Sequence, residues 1–142
     1  IFFTGFTRIA SDIAAVQIKE TPDRSKELHQ MYQLVENALQ ILLSSNDIAE
    51  FGKLLHETWL LKRRLTNHIS NSGIDTMYEA ALNNGAIGGK LLRAGGGGCI
   101  LFFVPPELQN QVKESLKDLL YVPFTFERQG SQIIYFDPTE DF

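Results

Sequence analysis

The chain has 142 residues, of which 44% are hydrophobic and 21% charged, so it can bury the core of one globular domain. Its net charge of −4 argues against nucleic acid as a bulk partner. A single cysteine, Cys99, excludes an intrachain disulfide and favours a reducing, cytoplasmic location. No apolar stretch reaches the about 18 residues that a membrane-spanning helix needs, so no membrane partner is expected.

The first half of the sequence predicts one short strand followed by helices. Residues Ile1–Thr4 form an apolar strand that Gly5 ends. Because the chain opens inside this strand without a methionine, we expect it to be the C-terminal part of a longer protein. A helix of small residues follows over Ile9–Gln17. Two long amphipathic helices, over residues 23–43 and 48–69, are separated by a short polar turn and predict an antiparallel helical hairpin.

The second half predicts a mixture of strands and helices. A shorter helix over Asp75–Asn83 is followed by a glycine-rich region, an apolar strand over Ile100–Val104 and a helix that starts at Pro105-Pro106. Two strands, over residues 122–128 and 131–137, close the chain around a Gln-Gly turn. This order predicts an α+β fold in one domain, with a ferredoxin-like antiparallel sheet of about four strands packed against several helices.

Glycine is concentrated between Gly88 and Gly98, a stretch that holds six of the eleven glycines in the chain. Glycine permits positive φ and lets another group approach the backbone closely. One interpretation is that successive N–H groups hold an anion such as phosphate in a backbone nest, and the other is a flexible connector. A Walker A loop is excluded because Asn84 and Leu91 stand where it needs Gly and Ser or Thr. A dinucleotide fingerprint is excluded because the predicted order is helix, glycines, strand.

Several stretches of the sequence resemble the GHMP small-molecule kinases. Residues Lys90–Cys99 resemble the third motif of that superfamily, a lysine and two further residues followed by Gly-Ala-Gly-Gly-Gly-Gly. Residues Thr4–Ser11 are similar to the Thr-Gly-x-x-Arg-x-Ala-Ser segment of its heptose phosphate kinases, and the helix around Trp59 is similar to theirs. The resemblance covers essentially the whole chain. One departure is Arg93, which stands where the pattern usually has glycine, so either the turn there is ordinary or the phosphate contact is altered.

The resemblance implies a sugar kinase that uses ATP and Mg²⁺. Such a kinase transfers the γ-phosphate of ATP to the anomeric hydroxyl of a sugar phosphate, and the members that the sequence resembles most act on D-glycero-D-manno-heptose 7-phosphate. In these kinases the main nucleotide loop, the Mg²⁺ ligands and the catalytic carboxylate lie in the N-terminal half. We therefore expect no catalytic or metal-binding residue in this chain, and no activity from it alone. Its expected partners are ATP, a sugar phosphate and its own N-terminal domain.

Seven residues are candidates for binding phosphate or substrate: Gly95, Gly96, Gly97, Lys90, Arg8, Thr4 and Lys62. The three glycines would form a phosphate nest or pack against the nucleotide loop of the missing half. Lys90 and Lys62 are either phosphate contacts or ordinary surface lysines, and Arg8 either binds a sugar phosphate or forms a structural ion pair. A different class of function also stays open, namely a free-standing ferredoxin-like module that binds a small anion without chemistry.

Overall fold

The computed structural model describes residues 1–7, 9–44 and 47–135, and within them it contains one sheet of four strands. The strands are β1 (Phe2–Phe3), β2 (Gly88–Leu91), β3 (Cys99–Phe103) and β4 (Leu120–Tyr121). Every pairing is antiparallel and the order across the sheet is β2-β3-β1-β4. With helices between β1 and β2 and between β3 and β4, this is the ferredoxin-like topology. The predicted α+β fold is therefore confirmed.

Five α-helices are present in the described residues. They are α1 (Ala10–Glu20), α2 (Ser25–Leu43), α3 (Ala49–Arg63), α4 (Ser72–Asn83) and α5 (Gln109–Ser115), with short 3₁₀ turns at Thr21–Arg24 and Pro106–Leu108. Helices α2 and α3 pack against each other, which confirms the predicted hairpin, and α3 in turn packs against β2. Helix α3 therefore lies between the sheet and α2.

Helix α3 ends six residues before the predicted end at Ile69. The N–H groups of Arg64 and Leu65 close the last turn on Leu61 and Lys62, and the chain then reverses through residues 66–71. Ile69 still enters the core, with no exposed surface, because this reversal carries it inward. Periodicity alone could not separate a core residue on a helix from one on the following turn.

Strand β2 is absent from the sequence prediction, which placed glycines directly between a helix and a strand. Gly88 and Gly89 give a poor strand signal because glycine has no side chain to pack on a sheet. Close packing explains their presence, since a Cβ on Gly88 would lie 2.1 Å from the Gly52 carbonyl oxygen of α3. A Cβ on Gly89 would lie 2.4 Å from the Leu101 carbonyl oxygen. The later glycines consequently form the loop of a β-hairpin.

The two predicted C-terminal strands are wrong within the described residues. Strand β4 lies earlier, and residues 122–135 form no strand; positions 136 and 137 of the second prediction fall outside the described residues. Strand β4 pairs with β1, and the Val122 N–H donates to the Ile1 carbonyl. Phe124 and Phe126, whose alternation favoured a strand, are exposed, so their spacing does not mark a buried face.

The core lies between the sheet and the helices in two clusters. The first contains Trp59, Ile69, Ile74, Tyr78, Leu91 and Ile100, and the second contains Phe2, Ala81, Ala86, Val112 and Leu116. Tyr78 links the helices to β2, because its hydroxyl donates to the Gly89 carbonyl oxygen over 3.1 Å and lies 2.9 Å from Nδ1 of His56. Burial raises the pKa of Tyr78 to about 12.

Replacing Gly88 with alanine should destabilise the fold strongly, because the new methyl group would meet a backbone carbonyl of α3 that cannot move alone. We expect Gly88→Ala to lower the free energy of unfolding by about 3 kcal/mol in a denaturant titration. Gly5→Ala is the matched control, since Gly5 has φ +76° but open space around it, and should cost about 1 kcal/mol. Equal losses for the two variants would contradict this packing of α3 on β2.

Candidate functional site

The glycine loop, residues 92–98, connects β2 to β3. The Leu92 N–H donates to the Cys99 carbonyl oxygen over 2.8 Å and closes the hairpin below the loop. Arg93 has φ +60°, the left-handed conformation that favours glycine. The turn at Arg93 is therefore not an ordinary one, because the arginine adopts the backbone conformation that glycine would have there. Its side chain is exposed.

Hydrogen bonds fix the glycine loop to two other parts of the chain. The Gly96 N–H donates to the Ile69 carbonyl oxygen over 2.8 Å, and the Gly98 N–H donates to the Phe6 carbonyl oxygen over 2.9 Å. The Gly98 carbonyl oxygen accepts both the N–H and the hydroxyl of Thr4, over 2.8 and 2.9 Å. The loop is thus tied to the end of β1 and to the turn that precedes α4.

The need for glycine at two positions of the loop has a local explanation. A Cβ on Gly97 would lie 2.5 Å from the Phe6 carbonyl oxygen. Gly95 has φ +120°, and a Cβ there would lie 3.0 Å from Cα of Ile69. These glycines let the loop approach the two backbone segments that hold it. Since the N–H groups of Gly96 and Gly98 already have partners, they are not free donors for a ligand.

Lys62, at the end of α3, holds the first turn of the glycine loop. Its ammonium donates to the carbonyl oxygens of Leu91, over 3.5 Å, and of Arg93. Burial, and to a lesser degree the positive charge of Lys90, lowers the pKa of Lys62 to about 8. Lys90, on β2, is half-buried. The end of α3 and the strand β2 therefore bring two lysines to the start of the loop.

The structure gathers six of the seven candidate residues around this single loop. Gly95, Gly96 and Gly97 form it, Thr4 and Lys62 bond to its carbonyls, and Lys90 lies on the strand that enters it. Thr4 is 2% exposed and its hydroxyl is engaged, so its observed role is to hold the loop. Contacts of these residues with phosphate or substrate stay predictions. The seventh candidate, Arg8, lies outside the described residues.

Two supporting contacts were not foreseen from the sequence. Nε2 of Gln17 on α1 donates to the Ala94 carbonyl oxygen over 3.1 Å, so α1 also fixes the loop. Arg63 forms a 2.6 Å ion pair with Asp75, whose other carboxylate oxygen accepts the hydroxyl of Ser70 over 2.6 Å. This pair braces the turn that carries Ile69. The Asn71 cap of α4 was a visible signal for the turn, whereas nothing in the sequence singled out Gln17.

An open cleft of about 420 Å³ lies beside the glycine loop. One wall belongs to α1 and the residue before it, and the other belongs to the turn before α4, while Gly96 joins the two. The lining residues are Ile9, Asp12, Ile13, Val16, Asn67, His68, Ser70, Asn71 and Gly96. We refer to this space as the α1 cleft.

Within the described residues, no group of three or more His, Cys, Asp or Glu side chains could hold a metal ion. In the same part of the chain, no helix has the length and apolar character to cross a membrane.

Comparison with known proteins places this geometry in a family. Residues 33–122 match the family model described as GHMP kinases C terminal. The chain is 31% identical over 134 residues to the D-glycero-alpha-D-manno-heptose 7-phosphate kinase of Campylobacter jejuni, covering 92% of this chain and 39% of that protein. It is also 31% identical over 139 residues to the mevalonate kinase of Pyrococcus horikoshii, covering 92% of this chain and 41% of that protein. A galactokinase of Clostridium acetobutylicum is 32% identical over 78 residues, which are 54% of this chain and 20% of that protein.

A solved structure shares the fold. The chain matches L. major mevalonate kinase, solved in complex with R-mevalonate, with a TM-score of 0.69 and 19% sequence identity. The match covers 82% of this chain and 36% of that chain. The chain spans about two fifths of the length of the first two curated relatives. Kinases with different names match at similar identity, so the comparisons identify the family without selecting a substrate. The chain belongs to the GHMP kinase family and has the sequence and fold of its C-terminal domain.

Proposed function

We propose that this chain is the C-terminal part of an ATP-dependent sugar kinase of the cytoplasm. The kinase transfers the γ-phosphate of ATP to the anomeric hydroxyl of a sugar phosphate, D-glycero-D-manno-heptose 7-phosphate. The observation that carries the proposal is the anchored glycine loop with Lys62 and Lys90 at its start, in a chain of a kinase family. The choice of acceptor rests on residues Thr4–Ser11 and the helix around Trp59, which are similar to the heptose phosphate kinases.

Phosphoryl transfer depends mainly on positioning and on neutralising phosphate charge. Lys90 and Arg93 lie at the start of the glycine loop, and both can place a cation near a phosphate. ATP, bound with Mg²⁺, supplies the phosphoryl group, and the residues that hold Mg²⁺ lie in the N-terminal domain in this proposal. The loop contributes a fixed surface of small residues against which phosphates or the nucleotide loop of the other domain can pack. Gly95 and Gly97 let the loop approach neighbouring backbone closely. The Gly96 N–H donates to the Ile69 carbonyl oxygen, within the protein.

Lys62 acts in this site as a positioning residue, because its ammonium donates to the carbonyl oxygens of Leu91 and Arg93. By holding Arg93 it fixes the direction in which the arginine side chain leaves the loop. The charge of Lys90 opposes that of Lys62, and an anion near both would relieve this repulsion. The two lysines therefore favour phosphate binding, and without a bound anion their mutual repulsion destabilises the charged form of Lys62.

The lowered pKa of Lys62 gives a test of this arrangement in the absence of ligand. The folded pKa of about 8 lies below the ordinary value of 10.5, so the unfolded chain binds more protons between these two pH values. The free energy of unfolding should therefore rise with pH from 8 to 10.5, by about 1 kcal/mol after allowance for partial exposure. Lys62→Met should remove this rise, and Lys53→Met, at an exposed lysine of the same helix, should keep it. The same pH dependence in all three proteins would contradict the partly buried position of the Lys62 ammonium.

The activity itself is tested by ADP release from the longest natural polypeptide that contains this chain. We expect turnover with D-glycero-D-manno-heptose 7-phosphate and little or none with galactose or mevalonate. Lys90→Met and Arg93→Ala should lower kcat/KM by about a hundredfold, because each removes a cation from the phosphates. Lys53→Met is the control and should keep full activity. Absence of ADP release with every sugar would overturn the sugar-kinase proposal, and turnover with mevalonate alone would overturn the acceptor.

A further inference from the structure

We propose that the α1 cleft binds the uncharged, hydroxyl-bearing part of the acceptor, a polyol such as the carbon chain and ring of a heptose. This inference rests on the proposed function, and it divides the acceptor between two places. The hydroxyl groups lie in the α1 cleft, and the phosphate groups lie outside it, near the cations at the start of the glycine loop.

The size and position of the α1 cleft suit such a ligand. Its volume of about 420 Å³ lies within the range of about 300–1,000 Å³ that small-molecule sites occupy. Gly96 lines the cleft and belongs to the glycine loop, so a ligand in the cleft contacts the same loop that Lys62 holds. The cleft is partly open, so a second domain can reach a ligand that lies in it.

The two walls of the α1 cleft offer the two kinds of contact that a sugar makes. Ile9, Ile13 and Val16 form an apolar wall at helical spacing, which suits the C–H face of a sugar. The opposite wall is polar along the turn over residues 67–71. An apolar surface facing a polar edge is typical of small-molecule sites, in which a few polar groups fix the orientation of the ligand.

The hydrogen bonds within the turn leave both donors and acceptors for hydroxyl groups. The side-chain oxygen of Asn71 accepts the Ile74 N–H over 3.0 Å, so its amide N–H groups remain as donors. The Ser70 hydroxyl donates to Asp75, which leaves its oxygen as an acceptor. Nδ1 of His68 lies 3.1 Å from the Thr66 hydroxyl, which leaves Nε2 for a ligand. The ion pair of Asp75 with Arg63 holds these groups in place before a ligand arrives.

The charged side chain in the described lining of the cleft suits hydroxyl groups better than phosphate. Among the described residues that line it, Asp12 is the acidic one, and neither lysine nor arginine is present. A carboxylate accepts two hydroxyl hydrogen bonds readily but repels a phosphate.

Equilibrium binding without ATP tests the inference on the longest natural polypeptide that contains the chain. The probes are free D-glycero-D-manno-heptose, D-galactose and inorganic phosphate, followed by ligand-observed NMR or calorimetry. We expect at least one free sugar to bind, and Asp12→Ala to weaken it about tenfold. Val16→Trp should weaken the same sugar by filling the cleft. Phosphate binding should be unchanged or tighter in Asp12→Ala.

Asp118→Asn, at an exposed carboxylate beyond α5, is the matched control and should bind sugar as the wild type does. A thermal unfolding scan of each variant separates lost binding from lost folding. The inference is overturned if neither sugar binds, if Asp12→Ala and Val16→Trp both bind sugar within twofold of wild type, or if phosphate displaces the sugar in direct competition. Sugar binding without ADP release would refute the proposed kinase activity and support sugar binding in the α1 cleft. ADP release with an acceptor KM that is unchanged in Asp12→Ala would support the kinase activity and refute sugar binding in the cleft.

Discussion

The structure of the site depends on two backbone hydrogen bonds, from Gly96 to Ile69 and from Gly98 to Phe6. They join the loop between β2 and β3 to the turn before α4 and to the end of β1, three segments that are far apart in sequence. At Gly97 the backbones approach more closely than a Cβ would permit, and at Gly95 a φ of +120° beside Ile69 favours glycine. The glycine-rich sequence is therefore first a packing requirement, and the position of every nearby side chain follows from it.

A loop fixed in this way has consequences for the chemistry of a kinase. Lys62, Lys90 and Arg93 acquire set positions at its start, and the wall of the α1 cleft acquires a set position beside Gly96. Since phosphoryl transfer depends on positioning, a rigid element that a second domain can close on is more useful than a mobile one. In the proposed kinase, this chain contributes orientation and charge, and the N-terminal domain contributes the nucleotide loop and the reacting groups.

The helices could be predicted from the sequence because long stretches of apolar residues at helical spacing are a strong signal. The fold class could be predicted because a ferredoxin-like sheet has only about four strands. It failed where tertiary contacts override local preference. Strand β2 consists of Gly88, Gly89, Lys90 and Leu91, and its glycines are explained only by the backbone of α3 beside them. Residues 122–128 alternate like a strand, yet Phe124 and Phe126 are exposed, so the alternation does not mark a buried face. At the site, the sequence located the glycine loop and Lys62, but the direction of each N–H and the partners of Lys62 depend on elements that sequence spacing does not reveal.

The central claim is that internal hydrogen bonds, and not a bound anion, order the glycine loop. Amide hydrogen exchange at Gly96 and Gly98, measured without nucleotide or phosphate, tests it most directly. The account predicts that both amides are strongly protected in the ligand-free protein and change little when an ATP analogue is added. Exchange at the rate of an unstructured chain without ligand, with protection only after an ATP analogue binds, would contradict it and would restore the loop as a phosphate nest.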